Sequence, residues 1–152
     1  MIRKLCEHDK YKFIEMCRDF YSMDCVTHEI PVENILRTFD LIISGSEYAD
    51  ALVYEKDNEI AGYILLAITY SNESGGIVIW LDEIYVCPEY RGNGIGSKLI
   101  DFVLEKYKTA SRFRLEVTEC NKSARKLYAS KGFKDLPYEQ MEIVRPDEGR
   151  VV

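Results

Sequence analysis

The chain has 152 residues, of which 47% are hydrophobic and 30% charged, and its net charge of −6 gives a pI near 5.0. That length suits one domain, 1–152, with a real core, and the acidic balance argues against a nucleic-acid partner, which asks for a basic face. No apolar run approaches the ~20 residues needed to span a bilayer. The first residues, Met1-Ile-Arg-Lys-Leu-Cys-Glu-His-Asp, turn charged at once, unlike a secretory leader. The expectation is a cytoplasmic protein with no membrane partner. Five cysteines, Cys6, Cys17, Cys25, Cys87 and Cys120, are an odd number with no C-x-x-C pair. They predict reduced thiols, with neither a disulfide framework nor a metal site.

Residues 2–6 read as a short strand. Asp9 is placed to cap a helix running to Tyr21, with Phe13, Ile14, Cys17, Phe20 and Tyr21 on one face. After a polar loop, Pro31 suits the first turn of a second helix, in which Ile35, Leu36, Phe39, Ile42 and Ile43 keep helical spacing up to Gly45. Strands follow at Ala51–Glu55 and Ile60–Tyr70, joined by an Asp57-Asn58 hairpin turn, and a long third strand covers Ile77–Val86. The spacing predicts a helix over 94–107 burying Ile95, Leu99, Phe102 and Val103, then a strand at Phe113–Val117. A last helix, Ser123–Lys131, ends at Gly132. Residues 133–144 are expected to form a final strand pair around Pro137, and the polar tail from Arg145 to fray. The fold class is α/β, a mixed sheet with helices on both faces in the order β-α-α-β-β-β-α-β-α-β-β.

The run Leu81-Asp-Glu-Ile-Tyr-Val-Cys-Pro-Glu-Tyr-Arg-Gly-Asn-Gly-Ile-Gly96 carries the chemistry. It reads as a strand, a turn, a glycine loop led by Arg91, and the start of a helix. Glycines let the backbone approach a ligand closely. The N–H groups opening the helix point at an anion, and a planar guanidinium matches phosphate oxygens. No Gly-Lys-Ser/Thr follows, so this is not a Walker loop. The carboxylates of Asp82 and Glu83 lie just upstream, which sets a proton-transfer site beside a phosphate cradle.

These residues resemble the GCN5-related N-acetyltransferase (GNAT) family, whose Arg/Gln-x-x-Gly-x-Gly/Ala loop is matched by Arg91, Gly94 and Gly96. A second block, Val117 to Phe133, supplies the asparagine and, seven positions later, the tyrosine of that family as Asn121 and Tyr128. The adjacent carboxylates look most like the polyamine and diamine acetyltransferase branch, although here aspartate precedes glutamate. The resemblance implies acetyl-coenzyme A as co-substrate, held by Ile84, Tyr85, Val86, Arg91, Gly92, Asn93, Gly94, Ile95, Gly96, Ser97, Asn121, Ser123 and Tyr128. It implies a strand at Ile84-Tyr85-Val86 that splays from its neighbour, and a homodimer. Tyr21 and Asp24, with Asp82, would border the acceptor, a small cationic primary amine.

The implied reaction is direct attack of a neutral amine on the thioester. Asp82 or Glu83 would act as general base through water, and Tyr128 would protonate the departing thiolate. Alternation along a strand predicts that Asp82 and Glu83 face opposite sides. Aminoglycoside, amino-acid or peptide amines are alternative acceptors. A coenzyme A-binding sensor without turnover is an alternative of another class.

Overall fold

A computed structural model describes residues 1–26 and 28–147. Strand β1 is Ile2–Lys4, and a 3-10 turn at Glu7–Asp9 leads into helix α1, Lys10–Tyr21. Helix α2 is Val32–Ile43, with Pro31 as its extended N-cap. Strands β2 (Ala49–Lys56), β3 (Glu59–Ser71) and β4 (Gly76–Val86) follow, and then helix α3, Ile95–Lys106. Strand β5 is Arg112–Leu115 and helix α4 is Lys122–Ser130. Asp57 and Asn58, with φ of 53° and 65°, make the β2–β3 turn left-handed, as a two-residue hairpin turn requires.

The five strands lie in the order β1-β2-β3-β4-β5. The first four are an antiparallel meander. Strand β5 pairs parallel to β4, and α3 makes the crossover that a parallel pair needs. Helices α1 and α2 cover one face, where Phe13, Met16, Cys17, Ile35 and Phe39 meet the sheet. Helices α3 and α4 cover the other through Ile95, Leu99, Ile100, Val103 and Tyr128. Both faces of β3 are therefore buried, which is why its sequence is a near-continuous apolar run. Gly62 lets β3 lie close against β4: a Cβ there would lie 2.5 Å from the Tyr85 carbonyl oxygen.

Two details differ from expectation. Phe102 is exposed, and Ile100 takes its place in the core. Residues 133–144 form no strand: they pair with no sheet edge and leave Leu136, Tyr138, Met141, Ile143 and Val144 in solvent. The apolar alternation was real, but it finds no partner on the four-residue edge strand β5. In the tail from Arg145, Arg37 pairs with Asp147, and residues 148–152 lie outside the described residues.

Asp9 also departs from its expected role, because its side chain does not cap α1. It turns back to accept from both terminal nitrogens of Arg3, at 2.7 and 3.0 Å, and from the Cys6 backbone N–H at 2.9 Å. Arg3 Nε also donates to Glu55 at 2.6 Å, so β1, β2 and the start of α1 are tied at one point. Burial pushes the Asp9 carboxyl up, but the bonds from Arg3 and Cys6 outweigh it and hold it below its ordinary value. Asp9→Asn should cost about 2 kcal/mol in urea unfolding at neutral pH, the worth of hydrogen bonds to a charged group. The wild-type advantage is complete above the ordinary carboxylate pKa and fades as pH falls through the depressed one, so the two proteins should converge in strong acid.

Candidate active site

The register of β3 on β4 jumps at the acidic pair. Leu66 faces Leu81 and Leu65 faces Glu83, which leaves Asp82 as an extra residue without a partner. Such a bulge bends a strand and re-aims its side chains. Before it, Ile79 and Leu81 point into the core beneath α3. After it, Ile84 and Val86 point that way, while Glu83, Tyr85 and Cys87 turn toward α1 and α2. The expectation from strict alternation is thus corrected: Asp82 and Glu83 line the same cavity. Its volume is about 220 Å³, and its walls include Phe13, Tyr21, Ile30, Ile35 and Leu65.

Within that cavity the two carboxylates differ. Glu83 is buried, and both its oxygens accept phenol protons, Oε1 from Tyr21 and Oε2 from Tyr63 at 2.6 Å. Among the described residues no cationic side chain forms an ion pair with it. Burial raises the Glu83 pKa above the usual carboxylate range, the two phenols pull it back, and Asp82 pushes it up again. Asp82 is exposed at the cavity mouth. Crowding by protein atoms and the charge of Glu116 raise its pKa too.

Strand β4 pairs with β5 only over Val78–Leu81, so residues 82–86 keep one backbone edge free of β5. This is the expected splay. Arg91 Nε donates to the Val86 carbonyl at 2.9 Å, and the guanidinium lies 5.8 Å from the centre of the Tyr85 ring. Gly92 and Gly94 have φ of +79° and +71°, in the left-handed region, and a Cβ on either would meet nothing within 4 Å. The loop thus has an open inner surface, which Asn93 braces by donating to the Tyr90 carbonyl at 3.0 Å. Gly94 is the N-cap of α3, which puts the N–H groups of Ile95, Gly96 and Ser97 at the mouth of the loop. Gly96 has a packing role, since its Cβ would press on Leu127 at 3.3 Å.

A larger cavity of about 580 Å³ joins this loop to the α1–α2 connection. It is lined by Asp19, Asp24, Cys25, Tyr85, Arg91 and Asn121 among others. Tyr21 and Asp24, expected together at the acceptor, therefore border different cavities. Asn121 caps α4 by accepting from the Ala124 N–H at 3.3 Å, and Ser123 is exposed on the first turn of that helix. Tyr128 is buried on the α3–α4 face against Phe133 and lines neither cavity. Burial pushes its phenol up to about 12, which keeps it protonated near neutrality.

A family model described as "Acetyltransferase (GNAT) family" matches residues 14–133. This chain belongs to the GNAT acetyltransferases. It is 34% identical over 146 residues to a thialysine N-epsilon-acetyltransferase of Mus musculus, covering 89% of this chain and 84% of that protein. Its fold is similar to that of a solved possible acetyltransferase from Clostridium difficile 630, with a TM-score of 0.83 and 18% identity over 96% and 97% of the two chains. It is also similar to AAC(6')-Iy, solved with the bisubstrate analogue CoA-S-monomethyl-acetylneamine, with a TM-score of 0.77 and 18% identity over 96% and 98%.

Three groups at the site of this acetyltransferase escaped sequence reasoning. Tyr63 lies in an apolar run whose register on β4 cannot be read without the bulge. Asp19 accepts from the Tyr85 phenol at 3.3 Å, from a helix face that looks merely solvated in sequence. The third is a correction: Cys25 and Cys120, expected to be free thiols, are joined as a disulfide across 95 residues. Their Cα atoms are 6.1 Å apart, within the span a disulfide bridges. The bond ties the α1–α2 connection to the β5–α4 connection beside the larger cavity. Peptide mapping without reductant should recover a Cys25–Cys120 linked pair. Rapid alkylation of the folded protein should then label Cys6, which is exposed, before the buried Cys17 and Cys87.

Proposed function

We propose that this GNAT acetyltransferase transfers the acetyl group of acetyl-coenzyme A to a primary amine of a small, flexible cation, with polyamines, diamines and lysine-like ω-amines favoured. The observation that carries the reading is Glu83: a buried carboxylate that faces a cavity with apolar walls and has only neutral phenols as hydrogen-bond partners. Burying a charge without a counter-charge is costly. An aliphatic ammonium would supply the missing cation, and its methylenes would suit Phe13, Ile30, Ile35 and Leu65. The name of the Mus musculus relative supports an amine of this kind.

The chain fits the co-substrate. Arg91, the left-handed Gly92 and Gly94, and the N–H groups of Ile95, Gly96 and Ser97 would hold the pyrophosphate. The free edge of β4 over residues 82–86 would pair with the pantetheine arm. Acetyl-coenzyme A supplies an activated thioester, and the chain's own residues govern protons and orientation. Glu83, whose oxygens are already engaged, is assigned to orient the substrate as a fixed negative charge. Asp82, exposed at the mouth of the same cavity, is assigned as the base that takes the ammonium proton through water. Tyr128 keeps its proton at neutral pH and is assigned as the acid for the thiolate on its place in the Asn121–Tyr128 motif, although its phenol lines neither cavity.

Thiol release from acetyl-coenzyme A is the direct test, run with spermidine, spermine, diamines, thialysine, aminoglycosides, amino acids and short peptides. The expected result is turnover with the flexible polyamines or ω-amines. Turnover with aminoglycosides or peptides alone would move the acceptor to those classes, and binding of coenzyme A without any turnover would favour the sensor. Asp82→Asn should lower kcat by about 100-fold, the usual worth of a general base. Ionised Asp82 accumulates as pH rises through its raised pKa, so the wild-type acid limb should lie above the ordinary carboxylate range and vanish in the variant. Gly94→Val strains a left-handed position and should weaken coenzyme A binding at least 10-fold by calorimetry while the far-UV spectrum is unchanged; equal affinity would remove the loop from the cofactor site.

A further inference from the structure

Tyr63 is fully buried, at 0% exposure, and its ring is wedged between Phe13, with centroids 5.3 Å apart, and Tyr85, 6.0 Å apart. A phenylalanine would fill that volume without desolvating a hydroxyl. A buried phenol is tolerated where its O–H finds an acceptor, and this one donates to Glu83 Oε2 at 2.6 Å. The Tyr21 phenol reaches Oε1 from the last residue of α1. The carboxylate is thus gripped by one phenol per oxygen, one from the buried centre of the sheet and one from the helix that ends at the α1–α2 connection.

We infer that Tyr63 is a positioning residue, whose phenol, with that of Tyr21, keeps the Glu83 carboxylate ionised and aimed into the cavity for the acceptor's ammonium group. The inference rests on the acetyltransferase reading above for its last step only, because the grip on Glu83 exists without substrate. The titratable groups around Glu83 are Cys17 and Tyr21 of α1, Tyr63 of β3 and Asp82 of β4, while α2 presents the uncharged Asn34 and Thr38 to the cavity. Burial and the nearby carboxylate hold Tyr63 and Tyr21 well above the ordinary phenol value, so both stay protonated and both donate. Asp82 and burial favour protonated Glu83, and the two phenols oppose them. Removing one donor tips that balance toward the neutral acid, which no longer attracts an ammonium.

The test is Tyr63→Phe, which keeps the ring and deletes the donor. In substrate-free protein, the carbon-13 signal of the Glu83 carboxyl should titrate with a midpoint about one pH unit higher than in wild type, the scale of one hydrogen bond to a charged group. With the best amine, at a pH well below the wild-type Glu83 midpoint, KM for the amine should rise about 10-fold while KM for acetyl-coenzyme A stays constant, and the difference should vanish as pH rises through the variant's midpoint. In a Glu83→Gln background, Tyr63→Phe should change the amine KM no further. Tyr21→Phe, at a half-buried position, should shift the midpoint in the same direction and serves if the core variant fails to fold. An unmoved midpoint in a folded variant would overturn the inference, as would a loss of activity equal at every pH. If no amine is acetylated, the functional reading fails, yet the Glu83 midpoint still decides the role of Tyr63.

Discussion

Between Leu81 and Glu83, strand β4 carries one residue more than β3 opposite it, and its side-chain alternation changes phase there. Upstream of Asp82 the odd-numbered residues Ile79 and Leu81 serve the core under α3; downstream, Glu83, Tyr85 and Cys87 serve the side of α1 and α2. Without the extra residue Glu83 would point into the α3 core, where a carboxylate has no polar partner, and Ile84 would fall into the cavity. The bulge therefore does two things with one residue. It keeps both cores apolar, and it delivers two adjacent carboxylates to one concave site.

The same point in the sheet is where β4 parts from β5. Parallel pairing stops at Leu81–Leu115, one residue before the bulge. The open edge and the paired carboxylates thus begin at the same point of β4. Gly62 permits the close approach of β3 that keeps the far half of β4 paired on its other side. The glycine loop then begins just past the end of this half-open strand, and α3 starts at Gly94. The glycine loop and the cavity of the carboxylate pair are thereby fixed to one strand, the kind of support that, on the proposed reading, holds reacting groups in place.

Much of this was legible in the sequence. Helical spacing in α1, α2 and α3, the hairpin at Asp57-Asn58 and the long strand ending at Val86 stand where their residue patterns put them, within a residue or two. The two motifs around Arg91–Gly96 and Asn121–Tyr128 identify the family, because loop and cap geometry are encoded locally. What the sequence hid is non-local. A bulge is a relation between two strands, and no residue of β4 announces it; hence the wrong orientation for the carboxylate pair and the silence about Tyr63. The Cys25–Cys120 bond joins connections 95 residues apart, which spacing rules cannot see. The alternating segment 133–144 misled in the opposite way, since its pattern was local but a strand needs an edge to pair with.

Glu83 sets the final constraint. A core of this size would be more stable with an apolar residue at that position, since two phenols do not repay the full desolvation of a carboxylate. Local rules are broken where function needs them to be, and here three residues break them together: a buried acid and two buried or half-buried phenols on three separate elements. Random drift would more readily leave one such group than an arrangement in which each hydroxyl reaches a different oxygen of the same carboxylate. On the proposed reading, the cluster is a negatively charged receptor whose counter-ion arrives with the substrate. Within that reading, the logic favours acceptors carrying a localised ammonium on a slender apolar stem, because the walls offered by Phe13, Ile30, Ile35 and Leu65 reward methylene groups, with Asn34 and Thr38 the polar residues of α2 beside them.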